Sequence, residues 1–261
     1  VLFYTSGSTG LPKGVMVSHD NIIGGAEVVC SYLKLDASDR ILAIPPLSFD
    51  YGFNQISSAF WIGAQAILFD YLFPQDVKKA VQETKATVLP CVPPLWHQLM
   101  SKPWVEDHAS LRILTNTGGR LSVELIEKMR AYFPDAELFS MYGLTEAFRS
   151  TYLDPKEIDR IPTSIGKAIP GEEILVMRDA ETIAADEEVG ELIHIGRMVT
   201  QGYWRTEEKT LQKFRSVPKC SRFYGYYDHA VWSGDKVWRD GDGYLYFVGR
   251  DDEMIKTSGY R

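Results

Sequence analysis

Thr5-Ser6-Gly7-Ser8-Thr9-Gly10-Leu11-Pro12-Lys13-Gly14 lies between two short strand-like runs, 1–4 and 14–17. The chemistry of this loop suits a polyphosphate. Gly7, Gly10 and Gly14 let the backbone approach a ligand closely and adopt positive φ. Consecutive N–H groups can form an anion nest. Thr5, Ser6, Ser8 and Thr9 offer hydroxyl donors, and Lys13 brings a mobile positive charge. The stretch is not a P-loop, which runs Gly-Lys-Ser/Thr into a helix. Here Pro12 precedes the lysine, Gly14 follows it, and the chain continues as a strand. A short Gly/Ser/Thr loop is by default a polar surface loop; the Pro-Lys-Gly ending makes this one far more specific.

Working outward, Ser18, His19 and Asp20 read as a helix start. Strand-like runs at 40–44, 65–69, 87–90, 112–116 and 137–140 alternate with helical patterns at 74–84 and 122–133. This alternation predicts a largely parallel sheet with flanking helices. After about residue 162 the character changes. Short strands at 173–177, 190–195, 231–238 and 243–249 are separated by Gly/Asp turns, with Asp240-Gly241-Asp242-Gly243 as a strong hairpin signal. The expected class is α/β, with mostly parallel sheets followed by a smaller β-rich, barrel-like subdomain. The expected division is an α/β part at 1–162, a β-rich part at 163–250 and a separate segment at 251–261. Residues 202–232 are aromatic and irregular, and the pattern assigns them no element.

The 261 residues are 45% hydrophobic and 24% charged, the balance of a soluble globular chain. A net charge of -7 without a basic stripe argues against a nucleic-acid surface. No apolar run reaches the length of a membrane span, and no signal peptide is visible. The chain opens on Val1 within a strand-like run and ends on Arg261 within a motif, so both ends read as cut. Cys30, Cys91 and Cys220 show neither metal-ligand spacing nor a disulfide framework. Reduced structural thiols are expected, which fits the cytoplasm.

Further segments carry chemistry in chain order. Thr115-Asn116-Thr117-Gly118-Gly119 precedes the helix at Ser122 and alone would be a tight turn. Met141-Tyr142-Gly143-Leu144-Thr145-Glu146-Ala147 follows a strand and alone would be a turn with a solvated glutamate. Gly190-Glu191-Leu192 through Gly202-Tyr203-Trp204 follows, then Ser233-Gly234-Asp235. Gly249-Arg250-Asp251-Asp252-Glu253-Met254-Ile255-Lys256-Thr257-Ser258-Gly259-Tyr260-Arg261 closes the chain. Together with the 5–14 loop, these segments resemble, in the same order, the signatures of the adenylate-forming superfamily of AMP-dependent synthetases and ligases. That group includes acyl-CoA synthetases, amino-acid adenylation domains and luciferases. The closest likeness is an AMP-forming acyl-CoA ligase.

The resemblance implies the core domain of that superfamily. It also implies ATP- and Mg²⁺-dependent activation of a carboxylate to an acyl-adenylate, with release of pyrophosphate. The acyl group then passes to a thiol of coenzyme A or of a carrier-protein phosphopantetheine. Thr5, Ser6, Gly7, Ser8, Thr9, Gly10, Lys13, Thr145 and Arg261 are implied at the ATP phosphates, Gly118, Gly119 and Tyr142 at adenine, and Asp235 and Arg250 at ribose. Glu146 is implied as the metal ligand, and Thr145, Glu146 and Lys13 as the catalytic set. The physics agrees: glutamate is a hard oxygen ligand suited to Mg²⁺, and two carboxylate oxygens suit a vicinal diol. Ser233 stands where the family usually has threonine. Asp252 is implied as the hinge to a C-terminal domain that carries the family's catalytic lysine, so little turnover is expected from these residues alone.

Pro45-Pro46-Leu47-Ser48-Phe49-Asp50-Tyr51-Gly52-Phe53-Asn54 resembles the border of the acyl pocket, with Phe49, Asp50, Trp96 and Gly143 implied as lining. In amino-acid adenylation domains an aspartate after this phenylalanine pairs with the substrate ammonium. The alternative is that Asp50 caps the next helix. Ser140-Met141 lacks the asparagine typical of amino-acid domains before the tyrosine. The expectation is therefore an acyl ligase acting on a small-molecule carboxylate. An amino-acid adenylation domain loading a peptidyl carrier protein is the alternative, and a non-catalytic nucleotide-binding module is the third reading. His19, His97, His108, His194 and His229 are scattered and read as structural or surface residues.

Overall fold

The structure is a computed structural model that describes residues 1–5 and 12–250. Its strands and helices are, in chain order, β1 (Leu2–Thr5), β2 (Lys13–Met16), α1 (His19–Leu33), β3 (Arg40–Ala43), α2 (Asp50–Ile62), β4 (Gln65–Leu68), α3 (Pro74–Thr84), β5 (Val88–Cys91), α4 (Pro93–Met100), β6 (Ile113–Asn116), α5 (Val123–Tyr132), β7 (Glu137–Tyr142), β8 (Thr151–Leu153), β9 (Lys167–Ala168), β10 (Glu173–Met177), β11 (Gly190–Ile195), α6 (Glu207–Lys213), β12 (Phe214–Ser216), β13 (His229–Arg239) and β14 (Leu245–Arg250). They group into two compact units that interleave along the chain. One holds Ala26–Met141 and Leu153–Thr163; the other holds Val1–Gly25, Tyr142–Tyr152 and Ser164–Arg261.

The first of these units is the α/β part. Its strands run in the order β4-β3-β5-β6-β7 and pair in parallel. Every residue of β5 and β6 is buried, the pattern of a parallel strand covered on both faces. Sequence fixes the helix ends locally. Pro74 opens α3, and the Asp76 carboxylate accepts the Phe73 N–H at 2.8 Å. Ser122 caps α5 through the Leu125 N–H at 3.2 Å. Gly63, at φ 72°, ends α2. Asp50 does not cap α2. Phe49 holds the cap position, and Asp50 is the first helical residue, with its side chain in the interior.

One buried carboxylate ties the amino ends of three strands of this unit together. Asp39 is 1% exposed and accepts hydrogen bonds from Arg112 Nε at 2.8 Å, Thr87 Oγ1 at 2.6 Å and the Asp36 N–H at 2.9 Å. Asp39, Thr87 and Arg112 immediately precede β3, β5 and β6. The opposite, carboxyl ends of β3, β5 and β6 lead into residues 44–50, 92–96 and 117–119 of the same unit, the end at which open α/β sheets build their sites.

The other unit is β-rich. Its main sheet is antiparallel, in the order β10-β11-β13-β12, with β14 also paired to β13. The long β13 pairs with β11 on one side and with β12 and then β14 on the other. The β13–β14 turn is the predicted hairpin: Asp240 Oδ1 accepts the N–H groups of Asp242 at 3.0 Å and Tyr244 at 2.8 Å. Trp238 and Tyr246 stack across this hairpin at 4.1 Å. β1 and β2 form their own antiparallel pair. Residues 200–204 run beside β2 through Met16 N–H to Gly202 O at 2.8 Å, Gln201 N–H to Met16 O at 2.9 Å and Trp204 N–H to Gly14 O at 2.7 Å. No described helix is long and apolar enough to cross a membrane.

Candidate active site

The strand register builds one half of the site. Asp235 on β13 faces Arg250 on β14 as a cross-strand pair. Their side chains form an ion pair at 3.0 Å, with Asp235 fully buried and the Arg250 side chain 6% exposed. Tyr142, the last residue of β7, donates its hydroxyl to Asp235 Oδ2. Its ring lies parallel to His194 at 6.1 Å and near Phe247 at 6.5 Å. The expected adenine residue and the two expected ribose residues thus meet in one cluster. Ser233 supports it: its hydroxyl donates to Leu192 O at 2.5 Å and accepts the Asp235 N–H at 3.0 Å. A threonine hydroxyl in this place would make the same two bonds, so serine omits only a methyl group. Gly234, at φ 69°, supplies the left-handed step between them.

After Tyr142 the chain turns through Thr145–Ala147, a single 3-10 turn with Thr145 and Glu146 buried. Glu146 Oε1 accepts the Tyr203 hydroxyl at 2.6 Å. The Glu146 carbonyl accepts both the N–H of Thr200 at 2.9 Å and its hydroxyl at 2.8 Å. Phe148 follows with φ 50°, a left-handed backbone that is strained for a bulky side chain. Its ring is fully buried against Gly25, where an added Cβ would sit 2.4 Å away. Arg149 is buried and donates to Phe148 O at 2.5 Å. Gly143 has ordinary space beside Arg149 and Ser150.

Thr5 ends β1, Lys13 opens β2, and the two are register partners at the mouth of the loop. Lys13 Nζ lies 5.0 Å over the Tyr203 ring. Ser6, Gly7, Ser8, Thr9 and Gly10 of that loop lie outside the described residues, as do Asp252 and Arg261.

In the α/β unit, Trp96 is fully buried and donates its Nε1–H to Thr115 O at 3.4 Å. The Tyr51 hydroxyl is 2.5 Å from Thr115 Oγ1. Phe49 is half-buried and packs edge-on to Tyr51 at 6.1 Å. Asn116 donates to Gly119 O at 2.9 Å, and Gly118 takes φ 81°, so the Gly-Gly segment is a turn closed by β6's last side chain. Cys30, Cys91 and Cys220 are free. Burial pushes the Cys30 thiol up to about 11 and the Cys91 thiol well above its ordinary value, so neither is a nucleophile near neutral pH.

Tyr203 and Thr200, to which the motifs assign no site role, and His194, expected to be a structural or surface residue, each contact an expected site residue. The Gly202-Tyr203-Trp204 run was the available signal for Tyr203, but nothing in it indicates that the hydroxyl reaches Glu146. Among the described residues no three His, Cys, Asp or Glu side chains are grouped to hold a metal. A single buried glutamate fits Mg²⁺ only where substrate phosphates supply most of the ligands, which is the ordinary Mg²⁺–nucleotide arrangement.

The family described as AMP-binding enzyme matches residues 1–204. The L-proline–[L-prolyl-carrier protein] ligase of Streptomyces coelicolor is 31% identical over 270 residues, covering all of this chain and 49% of that protein. The long-chain-fatty-acid–CoA ligase of Bacillus subtilis is 28% identical over 266 residues, covering all of this chain and 45% of that protein. The o-succinylbenzoate coenzyme A synthetase of Bacillus subtilis, solved in complex with ATP and magnesium ion, is 25% identical with a TM-score of 0.85, covering 99% of this chain and 51% of that one. The chain thus spans about half the length of these relatives. On the ordered motifs, the α/β and β-rich architecture and this match, the chain belongs to the AMP-binding enzyme family.

Proposed function

We propose that this protein uses ATP to convert a carboxylic acid into an acyl-adenylate, releasing pyrophosphate, and then passes the acyl group to a thiol. The observation that carries this reading is the buried Tyr142–Asp235–Arg250 cluster, which belongs to the same compact unit as the Thr145–Glu146 turn. Asp235 retains lone pairs to accept ribose hydroxyls, and the ion pair with Arg250 aligns its carboxylate. Lys13, Thr145 and the N–H groups of the 5–14 loop would hold the phosphates. The first step brings two anions together, so its barrier is lowered by positioning and fixed positive charge rather than by a strong nucleophile. Glu146 would hold Mg²⁺, which when bound offsets charge on the phosphate oxygens. The acceptor thiol would belong to coenzyme A or a carrier-protein pantetheine, and the free cysteines suit work in the cytoplasm.

For the acid we favour an acyl substrate. One observation supports an amino acid instead. Asp50 is 4% exposed at the first turn of α2, and a buried carboxylate that pairs with an ammonium would select strongly for it. The test is ATP–pyrophosphate exchange by the native full chain across fatty, aryl and amino acids. Exchange that depends on one class supports adenylation and decides between the two readings. ATP binding without exchange for any carboxylate would favour a non-catalytic nucleotide module.

A further inference from the structure

Glu146 is the only residue to which the proposed function gives a metal, and its carboxylate accepts a hydrogen bond from a segment far away in the chain, residues 200–204. The Tyr203 hydroxyl donates to Glu146 Oε1 at 2.6 Å, and both residues are buried, at 3% and 2% exposure. The same segment fixes the Glu146 backbone through the Thr200 N–H and hydroxyl. It is anchored to β2, immediately after the phosphate loop, by three backbone hydrogen bonds and the Val15–Tyr203 bridge. On the other face of this link, the Lys13 ammonium sits 5.0 Å over the Tyr203 ring. The ring is held in place by an edge-on contact with Phe214 at 5.6 Å. One side chain therefore touches both the carboxylate expected to hold Mg²⁺ and the lysine expected to meet the phosphates.

We infer that Tyr203 is a positioning residue: its hydroxyl orients the Glu146 carboxylate for a divalent cation, and its ring orients Lys13 for the nucleotide phosphates. This rests on the proposed metal role of Glu146. The physical reason is that a hydrogen bond to a carboxylate oxygen narrows the directions in which that oxygen can point. Outer partners of this kind change metal affinity about ten- to a hundredfold when removed. A lysine over an aromatic face contributes less, about two- to fivefold.

The test separates the two halves of the side chain in the native full chain. Tyr203→Phe removes the hydroxyl and keeps the ring over which Lys13 lies; Tyr203→Leu removes both. Mn²⁺ binding in the presence of α,β-methylene-ATP is read by the electron paramagnetic resonance signal of free Mn²⁺. Nucleotide affinity is read separately in EDTA. Tyr203→Phe should weaken Mn²⁺ binding about tenfold and leave metal-free nucleotide affinity unchanged. Tyr203→Leu should lose both, with nucleotide affinity down about threefold. In a Glu146→Gln background, Tyr203→Phe should have no further effect on Mn²⁺. Wild-type Mn²⁺ affinity in a folded Tyr203→Phe, while Glu146→Gln loses it, would overturn the positioning role and leave the reading of Glu146 intact. Wild-type Mn²⁺ affinity in Glu146→Gln would overturn that reading and this inference with it. Thr200→Val, which removes a hydroxyl from the Glu146 backbone and not from its carboxylate, should fold like Tyr203→Phe and retain Mn²⁺ affinity. A tenfold loss there too would mean that the segment acts only as a scaffold.

Discussion

Glu172→Gln should make the protein more tolerant of alkaline pH, and the size of the gain follows from where the carboxyl lies. Glu172 precedes β10 and is 6% exposed. Its Oε1 accepts the Met198 N–H at 3.2 Å, and Gly196 packs against it so closely that an added Cβ would sit 2.2 Å from Oε2. Burial raises the carboxyl from its ordinary 4.5 to about 7, and the backbone N–H groups of Met198 and Arg197 and the charges of Arg197 and Arg222 only partly oppose this. Between those two values the folded state binds a proton that the unfolded state has released. The stabilisation is therefore complete below about pH 4.5 and is lost as the pH rises through about 7. A difference of this size corresponds to about 3 kcal/mol. Glutamine is neutral throughout and keeps a carbonyl for the Met198 N–H. Urea unfolding at pH 5, 6, 7 and 8.5 should show the stability of Glu172→Gln relative to wild type rising by about 2–3 kcal/mol across that range, since part of the difference is already present at pH 5. In melting temperature this is about 5–10 °C for a chain of this length. A difference that stays flat with pH would refute the assignment of a buried, protonated carboxyl.

Three other substitutions or labels address the rest of the structure. Arg112→Ala leaves Asp39 buried without the guanidinium that pairs with it and should cost about 3 kcal/mol in denaturant unfolding, because the other carboxylate contacts do not neutralise the charge. Asp235→Asn keeps an acceptor for Tyr142 but removes the charge that pairs with Arg250; calorimetric ATP affinity should fall about ten- to a hundredfold, a loss of about 1.5–3 kcal/mol, with the fold intact by circular dichroism. Thiol titration at pH 8 should label Cys220 at once and leave Cys30 and Cys91 unreactive until the chain is unfolded, since only Cys220 is exposed.

Much of the fold was legible where local chemistry decides it. Helix α3 is announced by Pro74 at its first position and by an amphipathic run to Thr84. The β13–β14 hairpin is announced by Asp240 and the glycines after it. Strands β5 and β6 are short apolar runs that a buried parallel sheet requires. Helix α6 was not legible: Glu207–Lys213 has no buried residue, so it carries no apolar periodicity to read. Helix α2 was signalled only by the cap reading of Asp50, since Asn54, Gln55 and Ser58 are buried polar residues that blur its apolar face. The grouping of residues 1–25 with the β-rich part rests on pairings such as Met16 with Gly202, which no local pattern encodes.

The candidate site follows from motif order more than from any local geometry the sequence encodes. Tyr142, Asp235 and Arg250 each belong to a recognisable segment, but their meeting depends on a register across β13 and β14 and on a contact that spans 93 residues. The contact of Tyr203 with Glu146 was hidden because a tyrosine in a Gly-Tyr-Trp run reads as packing, and only the folded chain brings the hydroxyl to the carboxylate. Asp50 was ambiguous in sequence between a cap and a buried charge; the backbone places it inside α2, so capping drops out.

In the proposed reaction a carboxylate oxygen of the substrate attacks the α-phosphate of ATP. Incubating the native full chain with ATP, its thiol acceptor and an ¹⁸O-carboxyl-labelled acid that supports exchange tests it directly by mass spectrometry of the nucleotide. That attack puts one ¹⁸O atom in AMP and none in pyrophosphate. Formation of ADP and phosphate, or AMP without label, would contradict it.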